Sequence, residues 1–450
     1  MDKMQIYNKL PIFAQNLACY YEGNRILRTR LGEAFQTQLD EYCSHDNWSY
    51  DQMCSLRDEK LRKMISHCYS TVPYYRRCFD DRGIDPKSIK TIDDLNVLPI
   101  ITKDEVKKHI SDFLSSAVDT SLTKIHPTGG TTGAGLRFVT TNTEEAEQWA
   151  VWWRYRIRNG IDYGAKCGVF GGKVVVPLKQ KKAPFWRMNA PCNQVYFSSY
   201  HITNETVRDY VNCIRSQNIN WIHGYPSVIA DLAQKMVDVG LTLSIGHVSI
   251  GAENLYKWQS DVIEKAFGVK PIQHYGLTEG VANISENPDR TLSVDEDFCC
   301  VEFVEFPGEG TKIIGTTLSN YAMPLLRYDT GDLATVPDKA IHNDHGRIIC
   351  GLNGRSNEFV LLPNGTKVGA AAISLIINDF PEIMSSQIIQ NSIEKIEVDI
   401  IIKQRSNLDD KKLMYKLRER FGNAIDIQIR YVDNLKKTKS GKQKLVISEI

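Results

Sequence analysis

Thr128, Gly129, Gly130, Thr131, Thr132 and Gly133 open the run TGGTTGAG, in which glycine and threonine fill all but one of the eight positions. Glycine lets successive backbone N–H groups converge on one point, making a concave nest for anionic oxygens, and threonine hydroxyls add donors. Phosphate is the guest such a loop suits. The loop is not a P-loop, because Gly135 is followed by Leu136 where that motif requires lysine. Nor is it the dinucleotide fingerprint G-x-G-x-x-G: counted from Gly133 and Gly135, the third glycine position holds Phe138. Taken alone, the loop also fits a hairpin connection with no ligand. Other candidates have equally plain readings when taken singly. Glu279 in LTEG fits an exposed turn carboxylate, Asp332 in DTGD a turn aspartate, and Lys442 in KKTKSGKQK a solvated basic tail.

The elements around these residues follow from periodicity. Residues 1–110, rich in charge and aromatics, carry helical spacing in DEKLRKMISHCYS and a proline-interrupted VPYYRRCF, and read as a helical leader of the large domain. From about 111 to 354, short apolar runs alternate with amphipathic helices. Val207, Tyr210, Val211 and Ile214 form one helix face and INWIHGYP follows as a strand. Ser227 is then the expected N-cap of a helix facing inward through Val228, Ile229, Leu232, Ala233, Met236 and Val237, and HVSIGAE is the next strand. Strands alternating with helices predict an α/β fold of mostly parallel sheets covered by helices. Residues 355–450 read as a small α+β domain: Ile396, Val398, Ile400 and Ile402 alternate, DDKKLMYKLRERFG is helical through Leu413, Leu417 and Phe421, and IDIQIRYV alternates again.

Six motifs in order, TGGTTGAG, IGAEN, HYGLTEG, LRYDTGD, GRSNE and TKSGK, resemble the core motifs of the adenylate-forming superfamily, the acyl-CoA synthetases and their relatives. VPYYRR, LPIITKDEV, FSSYHIT and IHGYPSVIADLA are similar to the phenylacetate-CoA ligase branch, and within it to homologues associated with capsular and O-antigen polysaccharide synthesis. The likeness runs from about residue 50 to 445.

The resemblance implies an ATP-dependent, AMP-forming carboxylate ligase using ATP, Mg²⁺ and coenzyme A or an acyl-carrier protein. It assigns the glycine loop to the β- and γ-phosphates. Gly251, Ala252 and Glu253 pass beside the purine, and Tyr275 and Gly276 lie against the adenine. Thr278 donates to the α-phosphate, and Glu279 holds the metal through oxygen, as Mg²⁺ prefers. Asp332 takes the ribose diol, with Arg355 reaching ribose or phosphate from the other side. Lys442 becomes the adenylation lysine, bridging the incoming carboxylate and the α-phosphate. It rides on a mobile small domain that turns about the 354–358 linker. The acid, small and carboxylic, is expected among Tyr200, His201, His223, Gly224 and Tyr225, each of which also fits a packing role. Three departures from the pattern stand out: Ala134 where many relatives carry lysine, Gly135 and Leu136 at the usual proline-containing end of the loop, and Asn357 at the acidic hinge position. An amine acceptor, such as an amino sugar, and a non-catalytic nucleotide-binding relative stay open as alternatives.

Whole-chain properties narrow the field. Among 450 residues, 55 basic and 54 acidic side chains give a net charge of +1, which offers nothing to a nucleic acid. There is no apolar run of membrane-spanning length and no signal-peptide pattern near the N-terminus, so no membrane insertion and a cytoplasmic location are expected. The 11 cysteines are scattered without C-x-x-C spacing and are expected to be reduced thiols. LKQKKAPFWR, residues 178–187, sets lysines beside Phe185 and Trp186 and suits either the phosphates of coenzyme A, a carrier surface, or plain solvent. A homodimer is left open.

Overall fold

The computed structural model describes residues 6–127, 136–307, 309–355, 359–363, 367–369, 373, 376–377, 379–380, 382–402, 408–437 and 443–450. The glycine loop, Lys442, and the hinge residues Asn357 and Glu358 lie outside the described residues.

The leader is helical, with helices at Ile12–Arg30, Glu33–Ser44, Tyr50–Thr71 and Pro73–Arg82. Ser49 starts the third through a capping box with Gln52. Phe35, Leu39 and Tyr42 are buried, and Tyr42 donates to Glu147 at 2.5 Å, docking the leader on the long helix Asn142–Arg158. β1 (Thr123–Pro127) pairs antiparallel with β2 (Arg137–Thr141), Pro127 opposite Arg137, so the two ends of the glycine loop are adjacent. The capping box of Thr141 and Glu144 then turns β2 directly into the long helix.

The large domain continues through β3 (Cys167–Phe170), β4 (Trp186–Asn189), β5 (Gln194–Phe197), β6 (Trp221–Gly224), β7 (His247–Gly251), β8 (Ile272–Gly276), β9 (Asn283–Glu286) and β10 (Leu292–Val294). β11 (Cys299–Phe306), β12 (Gly310–Thr317) and β13 (Tyr328–Thr335) follow, then β14 (His342–Asn343), β15 (Gly346–Ile349) and β16 (Gly351–Arg355). Ten of these form one sheet in the order β14-β15-β10-β9-β8-β7-β6-β3-β5-β4. Its centre, β5-β3-β6-β7-β8, is parallel, as the alternation of strands and helices predicts. Both edges are antiparallel, because the short connections from Gly276 to Asn283 and from Asn189 to Gln194 leave no room for a crossover helix. β11, β12, β13 and β16 form a separate antiparallel sheet.

Two expectations shift locally. The helix after β6 runs Pro226–Asp238 with Tyr225 at the N-cap, so Ser227 lies inside its first turn. Proline at the first position sets φ for the helix and sacrifices an N–H that needs no partner there. β16 pairs with β13, so Gly354 and Arg355 still belong to the sheet of the large domain.

Beyond that point lie β17 (Phe359–Leu361), β18 (Lys367–Gly369), β19 (Ile383–Ser392), β20 (Lys395–Ile402), the helix Asp410–Phe421, β21 (Asp426–Tyr431) and β22 (Val446–Ser448). Four of the strands make a sheet in the order β21-β20-β19-β22. Ile396, Val398 and Ile400 point from it into a core closed by Leu413, Leu417 and Phe421. No described helix is long and apolar enough to cross a membrane.

Candidate active site

Among the described residues, the predicted nucleotide residues gather at the C-terminal ends of the parallel strands, the usual position for ligands in an open α/β sheet. Tyr275 is the penultimate residue of β8, and its hydroxyl donates to Asp332 Oδ2 at 2.9 Å. Asp332 stands opposite Arg355 across the β13–β16 pair. Thr278 is exposed in the turn after β8, whereas Glu279 beside it is only 6% exposed. The buried position argues against the plain turn carboxylate that its local sequence allowed. Among the described residues no group of three or more His, Cys, Asp or Glu side chains is placed to hold a metal.

Gly276 has a strict steric role. A Cβ there would lie 2.6 Å from Asn283 Oδ1 and 3.0 Å from both His274 Nε2 and Trp152 Nε1. These atoms form one junction: Trp152 Nε1 donates to Asn283 Oδ1 at 2.9 Å, and His274 Nε2 shares the same oxygen at 3.1 Å. Asn283 Nδ2 donates to Asp295 at 2.6 Å, which fixes the amide with its oxygen toward the ring. His274 therefore carries its proton on Nε2. Burial, with the nearby Arg156 charge, pushes the His274 imidazole down to about 3, so it is neutral at physiological pH.

β7 ends at Gly251, and Ala252 turns the chain with φ 67°, a left-handed conformation that a small residue tolerates best. The next residue, Glu253, joins both domains. Its Oε2 accepts the backbone N–H of Ser227 at 3.1 Å, at the start of the Pro226–Asp238 helix, and its Oε1 accepts the N–H of Gln443 at 3.1 Å. Gln443 directly follows Lys442 in the chain. Gln387, wholly buried on β19, donates to the carbonyls of Lys436 and Lys444 at 3.0 and 2.9 Å and accepts from Lys436 N–H at 3.0 Å. Lys437 also bridges Gln443. Both ends of the lysine loop are thus pinned together and held against Glu253.

The expected acyl residues divide. Gly224 is required by contact, since a Cβ would come within 2.1 Å of the Phe170 carbonyl oxygen. Tyr225 N–H donates to that same carbonyl at 3.1 Å, and Tyr200, exposed, donates from its hydroxyl to Gly172 O at 3.3 Å. His201 instead packs on Phe185 and bonds Ser198 Oγ at 2.7 Å, the hydroxyl that also accepts the Tyr200 N–H at 3.3 Å. His223 lies on the sheet face under the Asn142–Arg158 helix, its Nδ1 3.0 Å from Ser249 Oγ; burial, then the charges of Arg156 and His274, push it down to about 3. Phe185 is core, and the exposed lysines of the 178–187 segment stand apart from it. Sequence reasoning missed Trp152, Arg156, Asn283 and Gln387. The tryptophan and arginine at i, i+4 on one helix face were a usable signal, but nothing local marks Gln387.

A large α/β body with a small C-terminal α+β domain, which meets the strand ends through Gln443, matches the fold of adenylate-forming enzymes. The solved 2-hydroxyisobutyryl-CoA ligase, in the postadenylation state with 2-HIB-AMP, superposes with a TM-score of 0.65 at 15% identity, over 87% of this chain and 89% of that one. By sequence the chain is 28% identical to protein CapK of Staphylococcus aureus over 99% of both, and 23% identical to the phenylacetate-coenzyme A ligase of Thermus thermophilus over 84% of both. The family model for the CapK C-terminal domain matches residues 360–449. Along nearly its whole length the chain is thus similar to proteins of the adenylate-forming superfamily, among them phenylacetate-CoA ligases.

Proposed function

We propose that this enzyme activates a small carboxylic acid with ATP, releasing pyrophosphate, and then passes the acyl group to the thiol of coenzyme A or of a phosphopantetheine carrier. The observation that carries the reading is the contact between Glu253, beside the purine motif, and Gln443, beside the motif lysine. A contact between the residue after Lys442 and the purine motif supports a closed arrangement of the kind adenylation requires.

In this reading the aromatic ring of Tyr275 packs on adenine while its hydroxyl steadies Asp332, which accepts the ribose hydroxyls, with Arg355 opposite. Thr128 to Gly133 wrap the β- and γ-phosphates with backbone N–H groups. Thr278 donates to the α-phosphate from its exposed turn. Lys442 draws the substrate carboxylate oxygen onto the α-phosphorus, where the new O–P bond forms as the bond to pyrophosphate breaks. Bound Mg²⁺ would neutralise charge on the departing pyrophosphate, and the single buried carboxylate of Glu279 suits it, since Mg²⁺ takes its remaining ligands from phosphate and water. In the second step the thiol sulfur, having lost its proton, attacks the acyl carbon and AMP leaves. A place in surface-polysaccharide assembly is supported by the full-length likeness to CapK and by the matching C-terminal domain.

The test is acid-dependent exchange of labelled pyrophosphate into ATP across a panel of small acids. Exchange that needs a particular acid and collapses in both Lys442→Ala and Asp332→Ala is expected. Exchange that survives in both variants, or fails with every acid although ATP binds, overturns the reading.

A further inference from the structure

Three arginines project from the last turns of the Asn142–Arg158 helix, and two of them have carboxylate partners. Arg154 is clamped by Asp295 at 2.7 Å and Asp297 at 2.5 Å, and Arg158 by Asp46 at 2.6 Å and Asn287 at 2.9 Å. Arg156, between them, is 5% exposed and forms no side-chain hydrogen bond or ion pair among the described residues; all three arginines bury an Nε without an acceptor, but Arg156 alone of the three has no carboxylate. Only aromatic faces attend it, Trp153 at 5.1 Å and Trp221 at 5.7 Å. A guanidinium buried without an anion is costly, and beside two arginines that each have a carboxylate the omission calls for an anionic occupant.

The surroundings point to where that occupant would lie. His223, His274 and Trp152 line the same layer between helix and sheet, each partly accessible, and protein surrounds both histidines. Side chains that are both enclosed and partly accessible wall an internal crevice. Its mouth is at Gly276, against which Trp152 Nε1 lies, beside the turn that holds Thr278. Arg156 is one helical turn beyond Trp152 on the same face, about 6 Å further in. It sits beside Trp221, two residues before His223 on β6, and so at the closed end. Both histidines are held neutral, leaving Arg156 as the single charge among these side chains.

We infer that the acid activated here carries a second anionic group, such as a second carboxylate, which docks on Arg156 at the floor of the crevice while the reacting carboxylate stays at Gly276. The inference rests on the carboxylate-activating reading above and narrows its substrate to short diacids and their equivalents.

Binding is measured first, so that the outcome does not depend on turnover. The full chain is titrated by calorimetry with malonate, succinate, glutarate and adipate, each paired with the monoacid of equal carbon number, in wild type, Arg156→Gln and Arg156→Met. At least one diacid is expected to bind tenfold or more tightly than its monoacid, and both variants lose that preference while their ATP affinity holds. Arg156→Met should also melt at the wild-type temperature or above, since it removes an unpaired buried charge; a purely structural arginine would instead lower the melting temperature. Equal binding of every diacid and its partner by wild type, or an unchanged preference in the variants, overturns the inference. Pyrophosphate exchange driven by the preferred diacid is then read separately. Its absence where diacid selectivity holds would sink the adenylation reading and leave the anion site standing, whereas exchange with monoacids alone would do the reverse.

Discussion

Glu253 Oε1 and the backbone N–H of Gln443 meet at 3.1 Å across the boundary between the two domains. A carboxylate suits this place because it must accept from two backbone donors at once, Ser227 N–H on one oxygen and Gln443 N–H on the other. The small domain is thereby latched to the helix that follows β6. The latch forms one residue from the motif lysine, so in the proposed mechanism closing the domain would also present that lysine.

Glu253→Gln tests this directly. Glutamine can offer its oxygen to only one of the two N–H groups and turns an NH₂ toward the other, a loss of about 1–3 kcal/mol. Pyrophosphate exchange is expected to slow on the order of five- to a hundredfold, while thioester formation from added acyl-adenylate, which needs the lysine loop withdrawn, holds or quickens. Equal slowing of both half-reactions would mean that Glu253 merely supports the fold.

Tyr275→Phe removes the hydrogen bond to Asp332 and keeps the ring. A hydrogen bond to a carboxylate contributes about 1.5–3 kcal/mol, so the KM for ATP should rise on the order of tenfold with little change in kcat. Steady-state kinetics at saturating acid measure this. A fall in kcat with KM unchanged would remove Asp332 from ground-state nucleotide binding.

At Gly276 the expectation concerns packing as well as chemistry. Alanine there meets three hydrogen-bonded atoms at 2.6–3.0 Å, so Gly276→Ala should cost about 1–3 kcal/mol. Gly171→Ala is the control, because a Cβ at that position meets nothing within 4 Å. Thermal melting of the two variants should separate them clearly, and equal melting temperatures would dismiss the tight junction.

Stability should fall in acid through His223 and His274. Both have folded values pushed down to about 3, against an ordinary value near 6.5, by burial and by the Arg156 charge. Below pH 6.5 the unfolded chain takes up protons that the folded chain refuses, so the stability present above 6.5 is lost progressively as pH falls toward 3. At pH 5 the loss is on the order of 2 kcal/mol or less for each histidine. Denaturant titrations from pH 7.5 to 4 check the slope, which should be shallower in the double variant His223→Gln, His274→Gln.

Much of this was legible in the sequence, for identifiable reasons. The alternation of Ile396, Val398 and Ile400 gave β20, and the face of Leu413, Leu417 and Phe421 gave the helix across from it, because burial on one side imposes a period. The antiparallel edges of the main sheet were hidden, since strand direction depends on connection length more than on residue type. His201 and His223 read alike, each beside a turn, yet one packs on Phe185 and the other walls the crevice. Arg154, Arg156 and Arg158 were equally alike as letters. Only the positions of Asp46, Asp295 and Asp297, more than 100 residues distant in the chain, separate the unmatched arginine from its neighbours.

Gln387 is the residue least visible in sequence, and its variant makes the sharpest mechanical test. It is wholly buried, and its amide satisfies two carbonyls and one N–H on the two sides of the lysine loop. Gln387→Leu keeps the volume and orphans all three backbone groups, which then free the loop ends to seek water. In the proposed mechanism ATP meets the large domain and exchange needs the lysine in register, so the ATP dissociation constant should move by less than about twofold while exchange should fall on the order of ten- to a hundredfold. Gln387→Glu refines the result: a carboxylate can still accept from Lys436 N–H but faces two carbonyl oxygens without a donor, so its exchange rate should rise as pH falls and the side chain protonates. A Gln387→Glu enzyme as active as wild type at pH 8 would show that the loop needs no pin, and the coupling between Lys442 and the small-domain sheet would have to be sought elsewhere.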